Sequence, residues 1–273
     1  MLDQDRGLLY AEACFETVRV AETGVFRWPG HMARLARGLE AFGLAMPRGM
    51  DAQLLERVLD AAWDVRRMHG TDALVRMTLT GGVAGRGLMP PGASAGDERE
   101  PACHVHAWPW RDAPPARLRA ATWPLPLAAR PAKWTSDYGA SIRALHALRA
   151  AGQLGADEEA LALDADGRVV SAPTANVALF VDGRWVTPRL DAGVLPGVVR
   201  AALLEAGVLA EADCDAAMLA RCEAVALTSS GVFIRPAATL DGRPLLLDES
   251  VFAPLWAALQ GQPGAPARAG EAA

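Results

Sequence analysis

At 273 residues and 51% apolar content, the chain has material for two ordinary domains or one large one, each with a substantial core. A formal net charge of −5 gives no whole-chain attraction for nucleic acid, and no apolar run is long enough to span a bilayer, so the expected ligand is a small molecule, not a polymer or a membrane. Cys14, Cys103, Cys214 and Cys222 are far apart and form no CxxC pair, and the first residues are charged with no apolar leader, so free thiols and a cytoplasmic location are expected.

The first expected elements are a strand over residues 12–20 and a hairpin partner near Val25 and Phe26. Met32, Leu35, Leu39 and Phe42 recur at helical spacing, which predicts a helix over 31–42 with Arg34 beside its apolar stripe. A second helix is expected from an N-cap at Asp51 to Gly70, followed by a strand over 74–80. The glycine-rich stretch after Gly81 lacks the lysine and hydroxyl of a P-loop and leads into prolines, so it reads as a substrate-side loop. Residues 93–101 are small and charged and are expected to be mobile. His104 and His106 face one side of a strand, but a third ligand has no source, so no metal site is assigned. Three prolines between 109 and 118 mark a linker between domains, and a strand is expected over 120–127.

Lys133 is the one lysine of the chain, against 26 arginines. Arginine replaces lysine wherever a positive charge suffices, but a guanidinium cannot lose its proton and attack a carbonyl. Lys133 is therefore the candidate Schiff-base nucleophile; the alternative is an ordinary surface lysine. It stands just before a helix expected over 137–151, with Ile142, Leu145 and Leu148 on its buried face. A strand meander follows over 159–187, with Asp166-Gly167 and Asp182-Gly183 as turns and Asp241-Gly242 repeating the signal later. Pro196-Gly197 then opens a helix whose first amides, at Val198 and Val199, offer an anion seat. Residues 225–230 read as a strand ending in hydroxyls, and residues 261–273 as a disordered tail.

Taken in order, Asp5-Arg-Gly-Leu-Leu-Tyr, Cys14-Phe-Glu-Thr-Val-Arg-Val, His31-Met-Ala-Arg-Leu, Gly85-Arg-Gly, Lys133 with Tyr138, Asp157-Glu-Glu-Ala-Leu-Ala-Leu-Asp, Thr187-Pro, Leu195-Pro-Gly-Val-Val-Arg and Leu227-Thr-Ser-Ser resemble the class-IV aminotransferases. That family of pyridoxal-phosphate enzymes includes branched-chain and D-amino-acid aminotransferases and 4-amino-4-deoxychorismate lyases. The resemblance implies a mixed α/β, fold-type-IV architecture. Its small N-terminal domain would span residues 1–112 and its larger C-terminal domain 113–260, with Lys133 in the latter and the cofactor between the two. It also implies pyridoxal 5′-phosphate as cofactor, an amino-carboxylate substrate and a homodimer. Lys133 would carry the Schiff base and move the proton, with Tyr138 beside it. Arg34, the Val198 and Val199 amides and Ser230 would bind the cofactor phosphate.

Three departures bear on the reaction. Ser171 stands where the family places a glutamate against the pyridine nitrogen. A hydroxyl there favours a neutral ring and a shallower electron sink, which elimination tolerates better than transamination. Ile234-Arg235-Pro236 is similar to the lyase branch and makes Arg235 a candidate for the substrate carboxylate, with Arg76 and Arg86 as competitors. Ala11-Glu12-Ala13 replaces a Gly-Asp-Gly only a few residues after Met1, so a first strand is expected to be missing, with either the start shortened or the small domain reduced. The expected activity is a 4-amino-4-deoxychorismate-lyase-like elimination; the alternatives are transamination of branched-chain or other small amino acids, and a non-catalytic cofactor- or phosphate-binding homologue.

Overall fold

A computed structural model describes residues 2–89, 99–125 and 130–265. It divides into two compact units, Met1–Arg111 with Pro131–Gly139, and Asp112–Arg130 with Ala140–Ala273.

The first unit is an antiparallel sheet covered by two helices. Asp5 caps the short helix α1 (Arg6–Tyr10) by accepting from Gly7 N–H. Strand β1 (Ala13–Ala21) turns into β2 (Gly24–Val25), and β3 (Ala73–Thr80) and β4 (Ala102–Pro109) complete the order β2-β1-β3-β4. Cys14, Val18 and Val20 occupy one face of β1 at period two and join Val75, Met77 and Leu79 of β3 in the core. Helix α2 (Trp28–Glu40) starts at Trp28, earlier than the apolar spacing suggested, because Pro29 fits a first turn, where its missing N–H costs nothing. It buries Met32, Leu35 and Leu39. Helix α3 (Met50–His69) buries Leu54, Val58, Ala62 and Val65 and stops at Gly70, which adopts φ 66° as only glycine does readily. Its N-cap is Gly49, not Asp51; the Asp51 carboxylate lies in the first turn and accepts from Trp28 Nε1. Each fully buried Leu or Val here contributes roughly 1.5–3 kcal/mol through removal from water.

The second unit is built on a nine-stranded sheet of order β10-β9-β8-β11-β12-β5-β6-β7, with β13 beside β12. Its elements are β5 (Ala116–Thr122), β6 (Glu159–Leu163), β7 (Val169–Ser171), β8 (Asn176–Val181), β9 (Arg184–Pro188), β10 (Ala210–Ala212), β11 (Ala224–Ser229), β12 (Phe233–Leu240) and β13 (Arg243–Pro244). Helix α4 (Thr135–Ala150) begins in the chain segment assigned to the first unit, and α5 (Val198–Glu205), α6 (Ala216–Arg221) and α7 (Glu249–Leu259) follow. The core of Leu118, Leu161, Val177, Leu179, Val225 and Leu227 draws on strands far apart in sequence. Asp182-Gly183 and Asp241-Gly242 both have positive φ at both residues, the requirement of a tight hairpin turn. The Asp166-Gly167 turn is made differently: the Asp164 carboxylate accepts from the N–H groups of Asp166 and Arg168.

Several expectations need correction. The 109–118 linker is shorter, since β4 runs to Pro109 and β5 already begins at Ala116, where Ala116 and Leu118 are fully buried. The strand placed over 120–127 is therefore β5, ending at Thr122; residues 126–129 lie outside the described ones. Helix α4 buries Ala144 and Leu148, whereas Ile142 is 55% exposed, so its buried face is rotated from the one inferred. Lys133, assigned to the C-terminal domain, lies in a segment that packs with the first unit: Phe15 N–H donates to the Lys133 carbonyl at 3.0 Å and Trp134 Nε1 donates to Gly38 O at 3.2 Å. Of the tail, 261–265 is described and contains a turn from Ala265 N–H to Gln262 O; 266–273 lies outside the described residues, as does 90–98 of the stretch read as mobile. No helix among the described residues is long and apolar enough to cross a membrane.

Candidate active site

Lys133 is half-buried, and its amine lies 5.7 Å from the centroid of the Phe15 ring. Phe15 is completed on other sides by Arg76, whose guanidinium carbon stacks 3.6 Å from the ring centroid, and by Tyr138, edge-on at 4.8 Å. Arg76 is also 5.8 Å from the Tyr138 ring. The first unit therefore gathers three residues expected from sequence, Lys133, Tyr138 and Arg76, around an aromatic ring that was not singled out.

A buried ionic cluster forms the second part of this site. Glu16 sits on β1 among the buried residues Phe15, Cys14 and Val18, a position where an unpaired carboxylate would be costly. Arg34 of α2 grips it with two bonds, Nε to Oε1 at 2.6 Å and Nη2 to Oε2 at 2.7 Å. One turn earlier on the same helix, His31 Nδ1 lies 2.7 Å from Glu16 Oε2. Burial acts to raise the Glu16 pKa, but the Arg34 hydrogen bonds and charge, with the bond from His31, hold it well below the usual carboxylate range. Burial pushes the imidazole of His31 down against the pull of Glu16. His31 is thus neutral and donates Nδ1–H to a carboxylate that can only accept. Burial also pushes Lys133 down to about 8; Glu16 opposes this, while Arg34 and Arg76 reinforce it. An amine with that pKa is neutral in roughly a tenth of molecules at pH 7, against a few in ten thousand for a free lysine.

In the second unit, helix α5 starts at Gly197 with no side-chain cap, so the amides of Val198 and Val199 remain first-turn donors. Asn176 fixes the approach: its Nδ2 donates to Leu195 O at 2.9 Å, and its Oδ1 lies 1.9 Å from where a Cβ on Gly197 would fall. Any other residue at 197 would force the Asn176 side chain to move. Helix α5 packs against β11, which ends at Ser229, and buried Ser230 follows in a turn that closes on Phe233 at φ 56°, a strained value for a bulky residue. Arg200 Nε, in the first turn of α5, is buried without an acceptor among the described residues. Ser171, at the end of β7, accepts from Arg130 Nη2 at 3.1 Å.

The remaining expected residues behave differently. Arg235 is bound by the Glu159 carboxylate and donates through Nε to Pro114 O at 2.7 Å. Arg86 is exposed in the loop after β3, which is held by Arg6 through bonds to Gly85 O, Gly87 O and Leu88 O. Among the described residues no group of three His, Cys, Asp or Glu side chains is placed to hold a metal. Glu16, His31 and Arg130 were missed. For Glu16 a signal existed, a carboxylate in the middle of an otherwise apolar strand, which demands a buried cation nearby.

Within the first unit, an amine partly neutral at neutral pH is suited to condense with an aldehyde; within the second, an uncapped helix start is suited to receive an anion. Comparison with known proteins agrees. The family model for class-IV amino-transferases matches residues 13–240. The branched-chain-amino-acid aminotransferase of Escherichia coli K12 is 26% identical over 215 residues, 72% of this chain and 64% of that protein. The aminodeoxychorismate lyase of Bacillus subtilis 168 is 27% identical over 212 residues, 74% of this chain and 66% of that protein. The chain thus spans just under two thirds of both relatives. Among solved structures, a putative 4-amino-4-deoxychorismate lyase from Legionella pneumophila superposes with TM-score 0.74 at 24% identity, covering 92% of this chain and 91% of the other. The branched-chain aminotransferase of the archaeon Thermoproteus uzoniensis, solved with norvaline, gives TM-score 0.72 at 24% identity, covering 93% and 86%. At these identities the two structures establish the shared mixed α/β fold.

Proposed function

The chain belongs to the class-IV aminotransferase family of pyridoxal-phosphate enzymes, and from that premise we propose that it binds pyridoxal 5′-phosphate through Lys133 and catalyses a 4-amino-4-deoxychorismate-lyase-like elimination on an amino-carboxylate substrate. The observation that carries this reading is the Lys133 amine, pushed down to about 8 by burial and set beside Phe15, Arg76 and Tyr138.

When bound, the cofactor supplies an aldehyde that takes up an amino group and a ring that draws electron density from the attached carbon. Lys133 holds the cofactor before substrate arrives, and its released amine then accepts the proton from the substrate Cα. Arg76, half-buried and held over Phe15, is the proposed carboxylate partner; Tyr138 orients the amine from the edge of the same ring. Val198 and Val199 amides with Ser230 are the proposed phosphate donors. Arg34, fixed by Glu16, is proposed as a further phosphate-binding residue through its immobile positive charge.

Elimination is favoured over transamination by Ser171, since a neutral hydroxyl supports a shallower electron sink than a carboxylate does. The second reading, transamination of branched-chain amino acids, is favoured by the Escherichia coli relative. Incubation with 4-amino-4-deoxychorismate separates them. Pyruvate and 4-aminobenzoate formed without added 2-oxo acid support the lyase; glutamate formed from leucine and 2-oxoglutarate, with no pyruvate released, supports the transaminase. Neither product, with cofactor still bound, would make the chain a binding homologue.

A homodimer is also proposed. Leu8, Leu9, Leu88 and Met89 are 64%, 52%, 79% and 77% exposed on α1 and on the loop that Arg6 ties to it. Such an apolar group on an anchored loop fits a second copy of the chain. Light scattering that reports a monomer at micromolar concentration would dismiss it.

A further inference from the structure

The second unit holds an open cavity of about 750 Å³ where the connection from α4 to β6 faces β5. Arg117 and Arg119 line it from one face of β5, at period two. Arg119 already has its counter-charges: Nη2 and Nε donate to the two oxygens of Glu158 at 2.7 and 3.2 Å, and Nη1 lies 3.8 Å from Asp241 Oδ1. Glu158 Oε2 also accepts from Gly155 N–H at 2.8 Å, and a Cβ on Gly155 would come 3.0 Å from that oxygen. These charge-assisted bonds tie the connection to β5, so the wall of the cavity is built without a ligand.

Three further side chains on the same cavity are left over. Arg117, Gln153 and Asp157 are exposed, and their side chains make no hydrogen bond or ion pair among the described residues. They are a cation, an amide that both donates and accepts, and an anion. No apolar side chain larger than alanine lines the cavity, so it offers little to an apolar ligand. Asp157 and Glu158 repel a polyanion, and Arg117 and Arg119 repel a polyamine. A small molecule with one negative and one positive group satisfies both free charges.

We propose that this cavity binds a free α-amino acid as its zwitterion, the carboxylate on Arg117, the ammonium on Asp157 and a polar side chain toward Gln153. The inference goes beyond the cofactor reading and does not depend on it, since no residue of this cavity takes part in the chemistry proposed at Lys133. Both charges stand in water, so each contact contributes little alone and affinity in the millimolar range is expected.

The test is isothermal titration of the full chain with L-glutamine, with N-acetyl-L-glutamine, which lacks the ammonium, and with L-glutaminamide, which lacks the carboxylate. L-glutamine is expected to bind, and each blocked form to bind about fivefold or more weaker, the loss of one exposed charge contact. Arg117→Gln and Asp157→Asn are expected to weaken L-glutamine to the same degree with the unfolding midpoint unchanged, and Arg117→Lys, which keeps the charge, to restore most of the binding. Absence of millimolar L-glutamine binding overturns the proposal. So does binding that Arg117→Gln and Asp157→Asn both leave unchanged, which would place the amino acid elsewhere on the chain. N-acetyl-L-glutamine binding as tightly as L-glutamine also overturns it and would make the cavity a plain anion site.

Discussion

Phe15 and Lys133 are joined twice: the Phe15 N–H donates to the Lys133 carbonyl at 3.0 Å, and the Lys133 amine lies 5.7 Å from the Phe15 ring. The backbone bond ties the lysine segment to β1, so the amine is set by the sheet and not by a free loop. The next residue along β1, Glu16, brings the buried charge that acts on that amine.

Burying Lys133 has a cost that depends on pH. Its pKa is about 8 in the folded protein against 10.5 for an ordinary lysine, so below pH 8 the folded protein must hold a charge that the unfolded chain solvates better. Apo Lys133→Met should be more stable than wild type at neutral pH, by on the order of 1–3 kcal/mol. The gap should close as pH rises from 8 to 10.5, where the wild-type amine becomes neutral first in the folded and then in the unfolded state. Urea titrations of both apo proteins across that window check this; equal stability at pH 7 would contradict it.

The Glu16 cluster should be fragile to removal of one partner. In Glu16→Gln the buried guanidinium of Arg34 meets a neutral amide in place of the carboxylate that grips it twice, and a loss of about 3–5 kcal/mol is expected from the change in unfolding midpoint. A loss under about 1 kcal/mol would mean that Arg34 finds another partner or water.

Acid should act on the same cluster. Both His31 and Glu16 have folded pKa values below their unfolded ones, so in each case the unfolded chain takes up protons first. Stability therefore falls as pH drops below about 6.5 through His31, and falls further below about 4.5 through Glu16. Replacing His31 with Asn should flatten the first part of that decline and leave the second; acid titration of unfolding free energy for both proteins reads this directly.

Gly197→Ala places a carbon 1.9 Å from Asn176 Oδ1 and should cost about 1–3 kcal/mol by overpacking. In an Asn176→Ala background the clash is gone, so the same change should cost measurably less. Thermal unfolding of the four proteins gives the cycle; purely additive costs would show that the contact is not the cause.

Part of this was legible in the sequence for identifiable reasons. Lys133 stood out because composition isolated it, and Arg34 because helical spacing set it beside an apolar stripe. The strands and turns around Asp182-Gly183 and Asp241-Gly242 follow from local backbone requirements. The pairing of Arg235 with Glu159 was not legible, because the two stand 76 residues apart and no local pattern joins them. Arg130 carried no pattern at all: its meeting with Ser171 bridges 41 residues and depends on how β7 is placed in the sheet. The buried face of α4 was misjudged because Ile142 and Ala144 differ in hydrophobicity, while packing favoured the smaller side chain.

The most direct test uses the fact that Lys133 is the one lysine. Purified protein is mixed with pyridoxal phosphate, reduced with borohydride, digested and mapped by mass. The account predicts the cofactor mass on the peptide holding Lys133, and no such adduct in Lys133→Arg. Cofactor retained with no mass on that peptide, or an unchanged adduct in the variant, would contradict the assignment of Lys133 as the covalent anchor.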